Sequence, residues 1–430
     1  MSEERFDCIV VGAGPAGSTA AYELARQGLE VLLVERGPAA GSKNMMGGRL
    51  YSYSLHRVIP EFWNEAPVER CVVKEELSFL TESAAVTVAL ENEALGEAPC
   101  HSFTVLRADF DAWLAGKAEE AGAVLATGIR VDDLLWAEDR ICGIRAGEDE
   151  IFANVVIAAD GVNSLLARKA GLRGELPPEH VSVGVKELIA LPAQTIEERF
   201  GLEGGKGAAR LFVGSCTRGV QGGGFLYTNK ESISLGLVFS LHALARAGVS
   251  VAEAVEDFKF HPALRPLLEG GEVLEYSAHL VPEGGLAMRP RLVAGGLLVA
   301  GDAAGFVINT GFMVRGMDLA ITSGAAAARA VMQAREAGDF SASGLGVYEE
   351  ILQQTHVHHD LTGYRNAPRF LETPGLYHTY PELAVDIFTD LFKVKGEPPR
   401  RVRQLVMEHL RKKVPLWQLV RDAWKGARSI

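Results

Sequence analysis

Cysteine is scarce and scattered in this 430-residue chain. The five residues, Cys8, Cys71, Cys100, Cys142 and Cys216, form no C-x-x-C pair, so their spacing supports neither a zinc site nor an iron–sulfur cluster. An odd, dispersed set is expected to be buried thiols in a reducing cytosol. Long apolar runs are missing too: no stretch of about 18 uncharged apolar residues occurs, which argues against a spanning helix. The charged start, residues 1–7, runs straight into an apolar strand, and no leader peptide is expected. Positive charge is not in excess. With 43 Lys and Arg against 55 Asp and Glu, the net charge is −12, and nucleic acid is not an expected partner. Internal repeats and low-complexity segments are absent, and the length exceeds one ordinary core, so two or more subdomains are expected.

What is present begins with a βαβ pattern. Residues 7–11 (DCIVV) read as a buried strand, 15–27 as a helix stopped at Gly28, and 30–35 (EVLLVE) as a second strand. Between the first strand and the helix lies Gly12-Ala13-Gly14-Pro15-Ala16-Gly17, a G-x-G-x-x-G in the context that gives it meaning. Gly12 permits the tight turn, Gly14 lets backbone approach a pyrophosphate, and Gly17 lets the helix sit close on the sheet. The helix start offers free N–H groups to phosphates. Glu35, at the end of the second strand, is placed to accept hydrogen bonds from both hydroxyls of an adenosine ribose. Its charge would repel a 2′-phosphate, which disfavours NADP.

A glycine-rich loop follows at 37–48, and 72–90 alternates like strands of a second region. Residues 107–121 form an amphipathic helical pattern, with Phe110, Trp113, Leu114 and Ala118 on one face. Residues 124–131 and 140–146 resemble strands, and 151–159 is a buried strand ending at Asp160-Gly161. That dipeptide suits a cofactor contact or a plain strand-to-helix turn. From 181 to 283 short alternating strands suggest an antiparallel sheet, interrupted by a helix near 251–258. Parallel-sheet character returns at 297–300, followed by Gly301-Asp302-Ala303-Ala304-Gly305 and a long helix near 317–336; the last hundred residues read as helical. Asp302 at a strand end can bind a ribityl hydroxyl, while the next helix points its N-terminus at a flavin pyrimidine edge.

The expected fold is α/β, a split Rossmann-type FAD-binding fold of the p-hydroxybenzoate-hydroxylase-like class, with an inserted antiparallel-sheet domain and a helical C-terminus. The divisions expected are 1–175 (first part of the FAD domain, with inserted strands near 72–106), 176–288 (sheet domain for substrate or quinone), 289–340 (second part of the FAD domain) and 341–430 (helical, with a basic amphipathic end).

Several segments together resemble one family: GSKNMMGGRLY at 41–51, VLRADFDAWL at 105–114, AADGVNS, VSVGVKELI, QGGGFLYTN and GDAAGFVINTGFMVRGMDLA. They are similar to FixC, the flavoprotein subunit related to electron-transfer-flavoprotein:quinone oxidoreductase, and the likeness runs from Phe6 to about Pro415. The resemblance implies an enzyme whose FAD takes electrons from an electron-transfer flavoprotein (FixA- and FixB-like subunits) and passes them to a membrane quinone. Electron bifurcation, where such an assembly performs it, falls to the partner flavoprotein. By the same resemblance, phosphate and ribose contacts fall on Gly12, Gly14, Ala16, Gly17, Glu35 and Arg36. Lys43, Asn44, Gly47 and Gly48 match the loop near the flavin, Arg107 an FAD-contacting arginine, and Val131 a position holding the adenine through its backbone. Asp160 and Gly161 join the set, and Gly301, Asp302, Gly305, Asn309, Gly311 and Phe312 match the flavin edge. One departure is informative. The larger quinone oxidoreductases carry a four-iron cluster on C-terminal cysteines, and no cysteine follows Cys216 here. A separate ferredoxin-like (FixX-like) subunit is therefore the expected one-electron partner.

Gly222, Gly223, Gly224, Phe225 and Tyr227 head a strand of the inserted sheet. Gly223 and Gly224 would let a flat quinone ring approach with Phe225 or Tyr227 as walls; equally, they suit a β-bulge with two packed aromatics. Residues 400–430 interleave nine Lys and Arg with Leu416, Trp417, Val420 and Trp424. Such a pattern suits an anionic membrane surface at the inner face of the cell membrane, an acidic partner, or docking on the body of the protein. His356, His358, His359 and Asp360 look like a metal cluster, but neighbouring helical positions point apart, so a polar or partner-facing surface is expected. No catalytic residue is assigned, because the flavin carries the chemistry. The competing expectation is a flavin-dependent reductase or hydroxylase of a prenyl or aromatic substrate on the same fold.

Overall fold

The structure, a computed structural model, describes residues 5–43, 47–394, 396 and 401–430. It opens with β1 (Arg5–Val11), α1 (Pro15–Ala25) and β2 (Val31–Val34); Pro15 begins α1 at a position where its missing N–H removes no helical bond. Then come β3 (Gly47–Tyr51), α2 (Ser52–Val58), β4 (Val68–Leu80), β5 (Ala85–Glu91), β6 (Ser102–Leu106), α3 (Arg107–Glu120), β7 (Val124–Ala126), β8 (Asp133–Ala137), β9 (Arg140–Ala146), β10 (Asp149–Ala158) and α4 (Leu165–Lys169). The middle of the chain forms β11 (Val181–Ala190), α5 (Ala193–Phe200), β12 (Lys206–Gly214), β13 (Gly222–Thr228), β14 (Ser232–Ser240), α6 (Leu241–Ala247), α7 (Val251–Phe260), α8 (Arg265–Leu268) and β15 (Glu272–Pro282). The remainder forms β16 (Val293–Ala294), β17 (Leu297–Val299), β18 (Ile308–Asn309), β19 (Val314–Arg315), α9 (Met317–Ala337), α10 (Val347–Gln353), α11 (His356–Gly363), α12 (Ala367–Leu371), α13 (Thr379–Phe392), α14 (Val402–Lys413) and α15 (Leu416–Ala427).

The first sheet runs β16-β17-β10-β1-β2-β7, parallel from β17 to β7, with the β8–β9 hairpin attached to β10. Its central strands are continuous apolar runs because helices cover them, and α1 lies between this sheet and α9 in the largest core cluster. The strand expected over 124–131 stops at Ala126. There the Gly128 and Ile129 N–H groups turn to the carbonyls of Gly37 and Glu35 and tie the chain to the loop after β2.

The second sheet runs β15-β11-β14-β13-β12-β4-β6-β3, with β5 on the outer side of β4. It is antiparallel except where β4 lies parallel to β12. Those two strands come from separate stretches of chain, so no hairpin dictates their direction. Arg70 of β4 secures the junction from a fully buried position. Its guanidinium donates to the carbonyls of Asn229 (2.6 Å), Lys206 (3.0 Å) and Lys230 (3.0 Å) and to the Glu197 carboxylate (3.0 Å). One side of this sheet is apolar, with Val185, Leu226, Leu235 and Leu237 packed beside Phe258 of α7. Period-two alternation sends Lys186, Phe225, Tyr227 and Ser234 to the other side.

The cysteines correct the expectation of five free thiols. Cys71 of β4 and Cys100, just before β6, are disulfide-bonded with Cα atoms 6.3 Å apart, while Cys8, Cys142 and Cys216 are free and buried. The register of β4 on β6, invisible in the spacing, brings the pair together.

Replacing Arg70 by Ala would leave three backbone carbonyls without this buried donor, while the partly exposed Glu197 carboxylate keeps the Gly205 N–H. Leaving a buried acceptor unsatisfied costs about 1–3 kcal/mol, and urea unfolding of R70A is expected to show a loss of at least that size; a change within error would mean that water replaces the guanidinium.

Candidate functional site

The glycine turn after β1 is set by close backbone approach. Gly12 has φ +103°, and a Cβ there would collide with the Ala159 carbonyl oxygen at the end of β10. A Cβ on Gly17 would strike the Gly12 carbonyl oxygen, so α1 can start this near the turn only without one. Gly14, by contrast, faces open space, with nothing within 4 Å of where its Cβ would be. The first-turn N–H groups of α1 lack intrahelical acceptors and border that opening. Glu35 spans the mouth: its carboxylate accepts from the Ala13 N–H (3.1 Å) and the Gly37 N–H (2.6 Å). Arg36 and Lys43 are exposed, Val131 is half-buried on the chain beyond β7, and Asn44 lies outside the described residues.

Two further segments close on this turn. Asp160 accepts a hydrogen bond from the Leu166 N–H (3.0 Å) and so starts α4, while its other carboxylate oxygen is buried with no partner among the described residues. Burial pushes its carboxyl upward, against the pull of backbone N–H groups around Leu166. Gly161 beside it opens onto free space. From the far end of the sheet, Gly301 comes so near that a Cβ would sit 2.8 Å from that of Ala16, and its N–H donates to Ser323 of α9 (2.9 Å). Asp302 and Gly305 belong to the single 3-10 turn that follows β17. Burial raises the Asp302 carboxyl, Arg107 opposes that rise, and Asp111 adds to it.

Arg107 opens α3 and grips Asp111 with two bonds of 2.8 and 2.7 Å. Gly48 lies over its aliphatic stem, and Gly47 packs so tightly on Ser234 of β14 that a Cβ would overlap the hydroxyl. Gly47 and Gly48, expected in the loop near a flavin, are the first residues of β3 in the second sheet. Asn309 ends β18, and Gly311 lies in the turn that leads to β19. The Gly311 N–H donates to the Asn309 side chain (2.9 Å), while Asn309 donates to Glu283 (3.1 Å). Phe312 is exposed.

On the second sheet, Phe225 and Tyr227 stack with ring centroids 5.1 Å apart on the side met by β3. Gly224 does not join them: the space its side chain would fill is taken by Phe258, 2.7 Å away on the opposite face. Gly223 shares the side of Phe225, though a Cβ there would press on the Phe212 carbonyl. Beneath Tyr227, Arg49 is bonded to Glu75 and stacks 4.7 Å from the Tyr51 ring centroid. The histidine run is divided, with His359 exposed and His358 half-buried. Asp360 and His356 turn inward, Asp360 to Arg315 (2.6 Å) and His356 edge-on to Tyr53 at 4.8 Å; Arg315 and Tyr53 both bond Asp318. No group of three His, Cys, Asp or Glu able to hold a metal occurs among the described residues. Sequence reasoning passed over Lys186, His279 and Glu283, which lie on or beside the Phe225 side of the sheet; a lysine inside the apolar run VSVGVKELI was the available signal.

The bed suits FAD. Open space at Gly14, a bridging acid at Glu35, a buried carboxylate oxygen lacking a donor at Asp160 and a second sheared-in acid at Asp302 match a pyrophosphate, a ribose and a ribityl chain. Comparisons with known proteins agree. Residues 7–197 match the family model of FAD dependent oxidoreductases, 181–281 the ubiquinone-binding model of ETF-QO, and 367–430 the ETF-QO/FixC family C-terminal domain. The chain is 52% identical over its whole length, and the whole of the relative, to the probable electron transfer flavoprotein-quinone oxidoreductase YdiS of Escherichia coli. It is 51% identical to Protein FixC of Salmonella typhi, with 99% of each chain covered. Among solved structures, a geranylgeranyl bacteriochlorophyll reductase-like protein of Thermoplasma acidophilum superposes with a TM-score of 0.75 at 21% identity, covering 99% of this chain and 100% of that one. That likeness bears out the fold.

Glu35→Ala removes the acceptor that ties Ala13 to Gly37 and faces the ribose site. A hydrogen bond to a charged group contributes about 1.5–3 kcal/mol, so the FAD dissociation constant of E35A, read by flavin fluorescence titration, should rise roughly tenfold to a hundredfold. An unchanged constant would place the ribose elsewhere.

Proposed function

This chain belongs to the ETF-QO/FixC family of FAD-dependent oxidoreductases, and on that footing we propose that it accepts electrons from an electron-transfer flavoprotein and delivers them to a membrane quinone. One observation carries most of the weight. The segment matching the ubiquinone-binding model, 181–281, is the part of the second sheet that carries Phe225 and Tyr227 on the face met by β3, whose Gly48 lies beside Arg107.

Bound FAD supplies the redox chemistry, taking electrons up and passing them on. The residues around it bind and orient. The first turn of α1 offers N–H groups to the pyrophosphate, Glu35 holds the adenosine ribose, and Asp302 takes a ribityl hydroxyl. Phe225 and Tyr227 present flat apolar surface to the quinone ring, and the apolar core behind them keeps water from the strand. None of these groups need act as acid or base to receive electrons.

The donor is an electron-transfer flavoprotein of FixA and FixB type. A ferredoxin-like subunit of FixX type carries the iron–sulfur relay, because here Cys71 and Cys100 are bonded to each other and the remaining thiols are buried. The assembly sits peripherally on the inner face of the membrane. No helix among the described residues is long and apolar enough to cross it. In support of surface contact, α15 turns Leu416, Trp417, Val420 and Trp424 outward, each more than 60% exposed, so this face is not docked on the body of the protein. Arg421 and Arg428 lie over the two indoles, at 5.2 and 4.7 Å. Apolar rings flanked by cations suit an anionic lipid surface.

Chemically reduced, FAD-loaded protein mixed anaerobically with a menaquinone analogue in a stopped-flow instrument should reoxidise rapidly, and NADH should not reduce it directly. Direct reduction by NADH together with indifference to quinone would sink the relay in favour of a hydroxylase-type enzyme. Replacing Trp417 and Trp424 by Ser should weaken sedimentation with phosphatidylglycerol-containing vesicles at least tenfold, since burying a large apolar side chain contributes about 1.5–3 kcal/mol. Wild-type binding that ignores anionic lipid would end the membrane assignment.

A further inference from the structure

Quinone reduction consumes protons as well as electrons, and the Phe225 side of the second sheet carries a cation that none of the roles above explains. Lys186 of β11 pairs in register with Gly236 of β14, and Gly236 pairs in turn with Phe225 of β13. The middle of this row is empty by necessity: a Cβ on Gly236 would lie 2.5 Å from the tip of the Phe225 ring. The ring therefore lies across the row, and the Lys186 ammonium stands 5.9 Å from its centroid. The next residue, Glu187, points to the opposite face and is bonded to Lys259 (3.1 Å). The strand thus holds a carboxylate, but on the wrong side to neutralise Lys186. Among the described residues no carboxylate or hydrogen-bond acceptor is paired with the Lys186 ammonium.

Resting on the quinone assignment above, we propose that Lys186 is the proton donor to the bound quinone, its ammonium hydrogen-bonding one carbonyl oxygen beside the Phe225 ring and protonating it as the ring is reduced. The balance is simple. The quinone gains two electrons, which the proposed relay brings through FAD. One carbonyl oxygen forms an O–H bond as an N–H bond of Lys186 breaks; the other oxygen takes its proton from water, and the neutral amine is recharged from solvent. A desolvated cation also suits recognition of a quinone, whose oxygens become more basic as electrons arrive.

The surroundings adapt the lysine to this task. Burial first, and then the Arg107 guanidinium, bring its pKa down from the usual lysine range to about 8. His279 of β15, opposite Gly184 on the same side of the sheet, is held down to about 4 by burial and by the charges of Lys186 and Arg107. It stays neutral at physiological pH and does not compete for the proton. The groups bearing on Lys186 are thus Arg107 from α3 and His279 from β15; Asp111 and Asp302 act on Arg107 from behind. Because a pKa near 8 leaves the ammonium charged below that pH, quinone reduction should fall as pH rises through it.

The test uses the full-length, FAD-loaded protein with Lys186→Met and Lys186→Arg, a short-chain ubiquinone analogue, and ferricenium as an acceptor that takes no proton. Each protein is reduced chemically and then reoxidised, and quinone affinity is measured separately by fluorescence quenching. K186M should retain FAD, be reoxidised by ferricenium like the wild type, and lose about a hundredfold in quinone reduction, the lower end of what a positioned general acid contributes. Its decline above pH 8 should vanish. K186R, charged but unable to give up its proton, should keep the wild-type quinone affinity and share the slow turnover. Wild-type quinone rates in K186M would overturn the proposal, and so would equal slowing with ferricenium, which would make Lys186 a tuner of the flavin. A wild-type protein inert to quinone would instead refute the relay itself.

Discussion

Where α1 crosses α9 there is no room for a side chain. A Cβ on Gly324 would strike the carbonyl oxygen of Ala16, and one on Gly301 would crowd the methyl of the same alanine. Gly17 is pressed just as closely on Gly12, and Gly12 on Ala159. These contacts bring together four stretches of chain: the first glycine turn, the end of β10, the turn after β17 and the middle of α9. The cofactor bed is the gap left where they meet. An extra methyl in such a contact costs about 1–3 kcal/mol, and here it would also part the two acids, Glu35 and Asp302, that face the gap from opposite ends of the sheet.

The second sheet depends on that arrangement for its orientation. β3, next to the glycine loop, closes on Ser234 and carries the sheet against the first domain. The apolar face then has its own cover in α5, α7 and α8, and the opposite face is free to hold polar and aromatic groups. Charges that would be costly alone are paired there or nearby: Arg49 with Glu75, Arg107 with Asp111, and Arg315 with Asp318 and Asp360. Set among these pairs, an unpaired lysine is conspicuous.

Much of this was legible in the sequence wherever the signal is local. The βαβ unit showed itself through apolar runs bounded by glycine, and α9 through a long alanine-rich run. Glu35 and Asp302 could be named because each closely follows an apolar parallel strand. What could not be read depends on register. Gly224 and Phe225 are adjacent in sequence, yet alternation sends them to opposite faces. The Cys71–Cys100 bond, the parallel pairing of β4 with β12 and the inward turn of Asp360 toward Arg315 each join residues whose partnership no spacing reveals. The hydrogen bond from the Gly311 N–H to the Asn309 side chain, two residues away in a turn, likewise has no periodic signature.

The pairing of distant segments also orders events during synthesis. β1 needs β10 beside it, β10 needs β17, and α1 needs α9, so the first sheet cannot close until more than three hundred residues have left the ribosome. β4 likewise waits for β12. Contacts this far apart in the chain make closure slow, because loop entropy is lost before the contacts return it. The nascent N-terminal half therefore emerges with an incomplete sheet and an exposed glycine turn, a species that invites aggregation and chaperone binding. The cofactor bed itself is therefore incomplete until α9 has been made.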